Sequence, residues 1–171
     1  MINEEEIKSF LEGNDPEEHI VSIEFDYAGD CVYKIKEIPG KGKEIRKDTF
    51  TAFGWVGDLR GLNFYNSSKA LQKEGMSKHG IVIDRLRTTD DNGIPNERLE
   101  NGLKYMVKSI KGYRSLIQFF RDGGVDPWGE RTKDKILILP PVEQYLISRE
   151  KRLFKGYESY DEITRFVFDL E

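Results

Sequence analysis

Two carboxylates close this sequence: Asp169 and Glu171, two residues apart on the apolar run Phe166-Val167-Phe168-Asp169-Leu170-Glu171. In an extended strand, side chains at i and i+2 point to the same side, with α-carbons about 6.5–7 Å apart. The spacing predicts that Asp169 and Glu171 converge on one divalent cation while Phe166, Phe168 and Leu170 face the other way. Paired hard oxygen ligands are what Mg²⁺ or Mn²⁺ phosphoryl chemistry uses. The same spacing fits a solvated edge strand, since 31 acids in 171 residues produce such pairs by chance on the order of five times. A hydrophobic strand that stops in mid-run is expected to belong to a longer chain.

The second candidate chemistry is cationic. Basic residues gather at Lys34, Lys36, Lys41, Lys43, Arg46 and Lys47, again at Lys104, Lys108, Lys111, Arg114 and Arg121, and again at Arg149, Lys151, Arg152 and Lys155. The net charge of −4 hides this, because residues 1–30 carry ten acids against Lys8 alone, which leaves +5 on the remainder. A phosphate-backbone partner is permitted by that layout, and solvated faces are the plainer reading of each cluster. Trp55, Phe64 and Tyr65 are candidate stacking platforms for bases, or core residues.

Other chemistries find no support. His19 and His79 lack partners at metal-ligand spacing, and one cysteine, Cys31, makes neither a zinc site nor an intrachain disulfide. Pro39-Gly40-Lys41-Gly42-Lys43 lacks the spacing of a phosphate-binding Gly-Lys-Ser/Thr loop, and no Gly-x-Ser-x-Gly elbow is present. Asp90, Asp91, Asp122 and Asp126 lie in Gly-containing stretches where Asp favours local turns. The single cysteine fits a reducing cytoplasm. Residues 1–20 are acidic rather than basic-then-apolar, and no apolar run approaches the roughly 18 residues of a membrane span. A cytoplasmic protein without a membrane partner is expected.

The elements that must position these residues read as α+β. Asn3 with Glu4-Glu5-Glu6 predicts a capped N-terminal helix. Ile20–Tyr27 and Cys31–Ile38 predict a β-hairpin, followed by a loop at 39–43. Phe50–Val56 reads as a strand, Ser68–Glu74 as a short helix closed by Gly75, Ile81–Ile83 as a buried strand and Thr88–Asn96 as a turn-rich connection. Lys104–Ile110 is strand-like. Tyr113, Leu116, Ile117 and Phe120 then fall on one helical face with Arg114, Gln118 and Arg121 on another, up to Gly123-Gly124. Ile136–Leu139 closes a strand–helix–strand lobe. Pro141 opens a helix with Val142, Tyr145 and Leu146 inward, and Arg149–Tyr160 links to the terminal strand. The expected architecture is a bent antiparallel sheet, a ferredoxin/RNA-recognition-like lobe and an extended C-terminal arm. The domains divide as 1–160, with lobes near 1–80 and 81–160, and 161–171.

Glu143-Gln144-Tyr145-Leu146-Ile147, Lys151-Arg152-Leu153-Phe154-Lys155-Gly156-Tyr157 and Arg165–Glu171 together resemble family B DNA polymerases. The likeness is to the passage from their N-terminal domain into the 3′–5′ proofreading exonuclease. Tyr145-Leu146-Ile147 matches the middle of an Arg-Tyr-Leu-Ile-Asp-like motif, and Phe168-Asp169-Leu170-Glu171 a Phe-Asp-Ile-Glu-like motif. Gln144 and Ser148 depart from the pattern, as in a divergent, phage- or prophage-like member. The resemblance implies that Asp169 and Glu171 are the first two exonuclease carboxylates, ligands of Mg²⁺ or Mn²⁺ in the full-length enzyme. That enzyme would take DNA template, primer and deoxynucleotides as partners. The other acidic motifs are not in this sequence, so these 171 residues are expected to be inactive, needing no cofactor and packing against the rest of the polymerase chain. Lys41, Lys43, Arg46, Lys47, Arg114, Arg121, Arg149, Lys151, Arg152 and Lys155 are the candidate contacts to a single template strand. A self-contained single-strand-binding module and a protein-interaction domain are the competing readings.

Overall fold

The structure is a computed structural model that describes residues 13–57, 69–86, 88–89, 95–96, 103–130, 132 and 135–159. Asp169 and Glu171, the helix expected after Asn3, and Phe64 and Tyr65 lie outside the described residues. The expected α+β class is what the chain adopts, with antiparallel sheets of three and four strands. It divides into two compact units: unit 1 of residues 1–48 and 145–171, and unit 2 of 49–144. Among the described residues no helix is long and apolar enough to cross a membrane.

Unit 1 is a meander of β1 (Ile20–Asp26), β2 (Cys31–Ile38) and β3 (Gly42–Asp48). The β1–β2 hairpin forms as the alternation predicts, its turn closed by Asp26, whose Oδ1 accepts the Ala28 N–H at 2.8 Å. The stretch expected as a loop instead holds a tight turn and a third strand. The Lys41 N–H donates to the Ile38 carbonyl at 2.9 Å with Gly40 at φ +73°, the left-handed position that a type II turn gives to glycine. β3 then pairs from Ile38↔Gly42 to Val32↔Asp48. Its sequence Lys-Glu-Ile-Arg-Lys has too little apolar content to signal a strand, which is how an exposed edge resists unwanted pairing.

Residues directly opposite each other share a face. Ile23 and Val32 are buried on one face of this sheet together with Lys34, which pairs with Ile23 across β1–β2. The segment 154–157 lies along β1. The Phe154 N–H donates to the Ile20 carbonyl at 2.8 Å, the His19 N–H to the Lys155 carbonyl at 2.8 Å and the Tyr157 hydroxyl to the Glu37 carbonyl.

Unit 2 runs β4 (Ala52–Val56), α1 (Lys69–His79), β5 (Ile81–Arg85), a small ladder of β6 (Thr88–Thr89) with β7 (Pro95–Asn96), β8 (Tyr105–Ser109), α2 (Tyr113–Asp122) and β9 (Ile136–Leu137). The sheet order is β5-β8-β4-β9, antiparallel throughout. Setting the small ladder aside, this is a β-α-β-β-α-β chain, so the expected strand–helix–strand lobe is one half of a ferredoxin-like arrangement. Ala52, Val56, Ile81, Val107 and Ser109 share the buried face, and the Ser109 hydroxyl donates to the carbonyl of His79 at the end of α1 (2.8 Å).

Three sequence expectations need correction here. The helix expected over Ser68–Glu74 does not stop at Gly75 but runs on to His79, ending where Gly80 takes φ +62°. β5 is buried at Ile81 but not throughout, since Val82 is 46% exposed on the outer face. β9 is only two residues long, and its place is continued by a side chain. Gln144, fully buried, accepts the Phe53 N–H on Oε1 at 2.7 Å and donates from Nε2 to the Leu139 carbonyl at 2.9 Å. That glutamine belongs to α3 (Pro141–Ser148), opened by proline as expected.

Candidate nucleic-acid interface

The cationic residues divide by burial. In unit 1, Lys151 is only 6% exposed. It reaches that position because α3 ends in a left-handed residue, Glu150 (φ +52°). The Lys151 N–H returns to the Leu146 carbonyl at 3.0 Å and the Glu150 N–H to Ile147 at 3.2 Å, a Schellman closure. The Lys151 ammonium then lies 2.9 Å from Asp15 Oδ2 and 2.7 Å from Glu17 Oε2. Glu17 also takes Lys34 at 2.5 Å and Lys36 at 3.3 Å. Burial opposes the charge on Glu17, but hydrogen bonds from Lys151 and Lys34 outweigh it and hold the carboxyl down at about 2. Asp15 is lowered in the same way, burial being overcome by its bond from Lys151, and the Lys151 ammonium is raised by both carboxylates despite its own burial.

Several other predicted contacts are engaged by neighbours. Lys155 Nζ donates to the Asp15 carbonyl at 2.9 Å, Arg152 to the Lys151 carbonyl at 3.0 Å, and Arg149 pairs with Asp48 at 3.6 Å. Asp48 also accepts the Tyr145 hydroxyl at 2.8 Å, and burial followed by that bond raises the phenol well above its usual range. Lys41, Lys43, Arg46 and Lys47 are exposed at the β2–β3 turn and along β3. Arg46 pairs with Glu44 at 2.6 Å, two residues back on the same strand.

In unit 2, Arg114, Gln118 and Arg121 form the exposed row of α2, as the helical spacing predicts, while Tyr113, Leu116, Ile117, Phe119 and Phe120 are buried. The helix closes at Gly124 (φ +78°). The Gly124 N–H donates to Arg121 at 2.9 Å and the Val125 N–H to Phe120 at 2.9 Å, which fixes the residues that follow. Asp122 is the last residue of this helix rather than part of a turn. It takes Lys78 at 2.7 Å, Gln118 at 2.6 Å and His79 Nε2 at 2.8 Å, and these bonds, Lys78 first, hold its carboxyl well below the ordinary range.

Trp55, the candidate platform within the described residues, stands half-buried on the outer face of the sheet, edge-on to the buried Phe53 at 5.1 Å. Met106, Lys108, Val82, Asp84 and Leu137 share that face by register, and Lys108 is paired with Asp84 at 2.7 Å. Trp128, an exposed indole in Asp126-Pro127-Trp128-Gly129, is not among the residues expected from the sequence. The signal was there: a tryptophan among turn residues has no periodic apolar partners to bury it. Among the described residues no cluster of three or more His, Cys, Asp or Glu side chains is placed to hold a metal.

Comparison with protein-family models, with curated proteins and with solved structures finds no match to this chain.

Proposed function

We propose that this chain is the N-terminal part of a family B DNA polymerase, that it contacts the single-stranded template, and that Phe168-Asp169-Leu170-Glu171 opens the 3′–5′ exonuclease. The observation that carries the reading is the exposed Arg114–Gln118–Arg121 row on α2, beside which Asp122 is held by Lys78, His79 and Gln118. Within unit 1, Asp15 and Glu17 are bound internally by Lys34, Lys36 and Lys151. A chain with net charge −4 can thus present cations to a phosphate backbone.

The polymerase assignment draws on Tyr145-Leu146-Ile147 and Phe168-Asp169-Leu170-Glu171. On this reading Asp169 and Glu171 are Mg²⁺ or Mn²⁺ ligands of the complete cytoplasmic enzyme, whose deoxynucleotide site lies in other domains. Lys151 is left out of the template contact, its ammonium being committed to Asp15 and Glu17.

Two measurements test the proposal. The gene should continue past Glu171 into further acidic exonuclease motifs, and the extended protein should degrade single-stranded DNA only with a divalent cation. These 171 residues alone should bind the strand without cutting it. A gene ending at Glu171, or metal-dependent cleavage by a clean preparation of the 171 residues, would contradict the assignment.

A further inference from the structure

The helix layer of unit 2 holds an aromatic that is built to stay in solvent. Trp128 is 52% exposed, yet its turn is tightly fixed. Asp126 Oδ1 accepts the Trp128 N–H at 3.3 Å, and the Asp126 carbonyl accepts the Gly129 N–H at 3.1 Å and the Thr132 hydroxyl at 2.5 Å. Val125 and Pro127 are buried on either side of Asp126. The Arg121 guanidinium carbon lies 5.9 Å from the centre of the indole, within cation–π range. Around this pair the cations form a connected group. Lys111 Nζ donates to the Lys78 carbonyl at 2.7 Å, Lys78 and Gln118 meet at Asp122, and Arg114 lies on the same helical row. The acids of this layer are Glu74, Asp122, Asp126 and Glu130, of which Asp122 is held by Lys78, Gln118 and His79 while Asp126 accepts the Trp128 N–H.

The opposite face of the same unit has another character. Its one cation by register, Lys108, is paired with Asp84 just as Lys78 is with Asp122, and Val82 and Leu137 expose aliphatic surface. Trp55 there leans edge-on against Phe53 and is half-buried. Phosphate needs exposed cations and a base needs an accessible aromatic face, so the two requirements meet on the helix layer and not on the sheet.

We propose that unit 2 takes single-stranded DNA across α2 and the turn that follows it, with a base stacked on Trp128 and phosphates at Lys111, Arg114 and Arg121. The open sheet face takes no part. This assignment rests on the template-contacting reading above and names its site. A single strand fits better than a duplex, because only an unpaired base offers its face to the indole.

The chain has two tryptophans, which makes the test direct. Trp55→Phe leaves Trp128 as the sole indole reporter, and Trp128→Phe leaves Trp55. Each variant, its fold checked by circular dichroism and thermal melting, is titrated with an oligothymidylate at low salt, with affinity followed by anisotropy of the labelled strand. Trp55→Phe should show saturable quenching at wild-type affinity. Trp128→Phe should show no quenching, and Trp128→Ala, which removes the stacking ring altogether, about tenfold weaker binding. Arg121→Ala, which leaves Trp128 in place, should also weaken binding. Quenching confined to Trp55, wild-type affinity in Trp128→Ala, or tighter binding of the matching duplex overturns the assignment while leaving a nucleic-acid role intact. Absence of any binding by the wild-type chain overturns both.

Discussion

Lysine does opposite work in the two units. In unit 1, Lys34 and Lys151 are buried and hold Glu17, with Asp15 completing the cluster on Lys151. In unit 2, Lys78 pairs with Asp122 but stays largely exposed, beside the exposed row of Arg114 and Arg121. A buried cation left without its carboxylates would be severely destabilising, whereas a solvated one contributes little to stability and remains available to a ligand. The difference separates cations that hold the fold together from cations that can serve a partner, although both kinds look alike in a count of basic residues.

The sharpest way to break this comparison is Lys151→Ala. Removing the cation that faces two carboxylates should lower the unfolding free energy by about 3–5 kcal/mol, read as a fall in the urea midpoint, with single-strand affinity at low temperature unchanged. A loss below about 1 kcal/mol would place Lys151 with the surface cations instead.

A second effect follows from acid. Glu17 titrates at about 2 in the fold against 4.5 ordinarily, and Asp15 is lowered as well. A depressed carboxyl contributes stability that is complete above its unfolded value and is lost as pH falls through the folded one. Melting temperature should therefore decline between about pH 4.5 and pH 2, and Glu17→Gln should flatten that decline. The Glu17 share is about 3 kcal/mol at neutral pH. A wild-type profile as flat as the variant's would remove the cluster from the stability account.

A smaller change is expected at Gln144→Leu. The buried Phe53 N–H loses its acceptor and the Leu139 carbonyl its donor, a cost of about 2 kcal/mol in unit 2. The acid profile set by Glu17 should be unaffected, because the two sites share no partner.

Local pattern made the β1–β2 hairpin, β4, β8 and α2 legible, since each carries its own apolar alternation or helical face. What escaped was set by contacts distant in sequence. β3 has one apolar residue, Ile45, and is a strand only because β2 pairs with it. Gly75 reads as a helix stop, yet α1 continues through it to pack on β5 and α2. Lys151 looks like one member of a basic cluster, and its carboxylates lie more than 130 residues earlier. Gln144 reads as a departure from a motif, whereas its amide completes the edge of a sheet. Of the interface, the Arg114–Arg121 row was visible from helical spacing alone, while Trp128 becomes a candidate only once its turn is seen to hold the indole outward.

The most direct measurement of the central claim is the salt dependence of oligothymidylate binding by the wild type, Arg114→Ala and Arg121→Ala. Log affinity should fall linearly with log salt, and each arginine removed should make that slope shallower by about 0.7 while leaving stability within about 0.5 kcal/mol of wild type. Binding that ignores salt, or slopes identical in all three proteins, would contradict the claim that unit 2 meets a phosphate backbone through this helix.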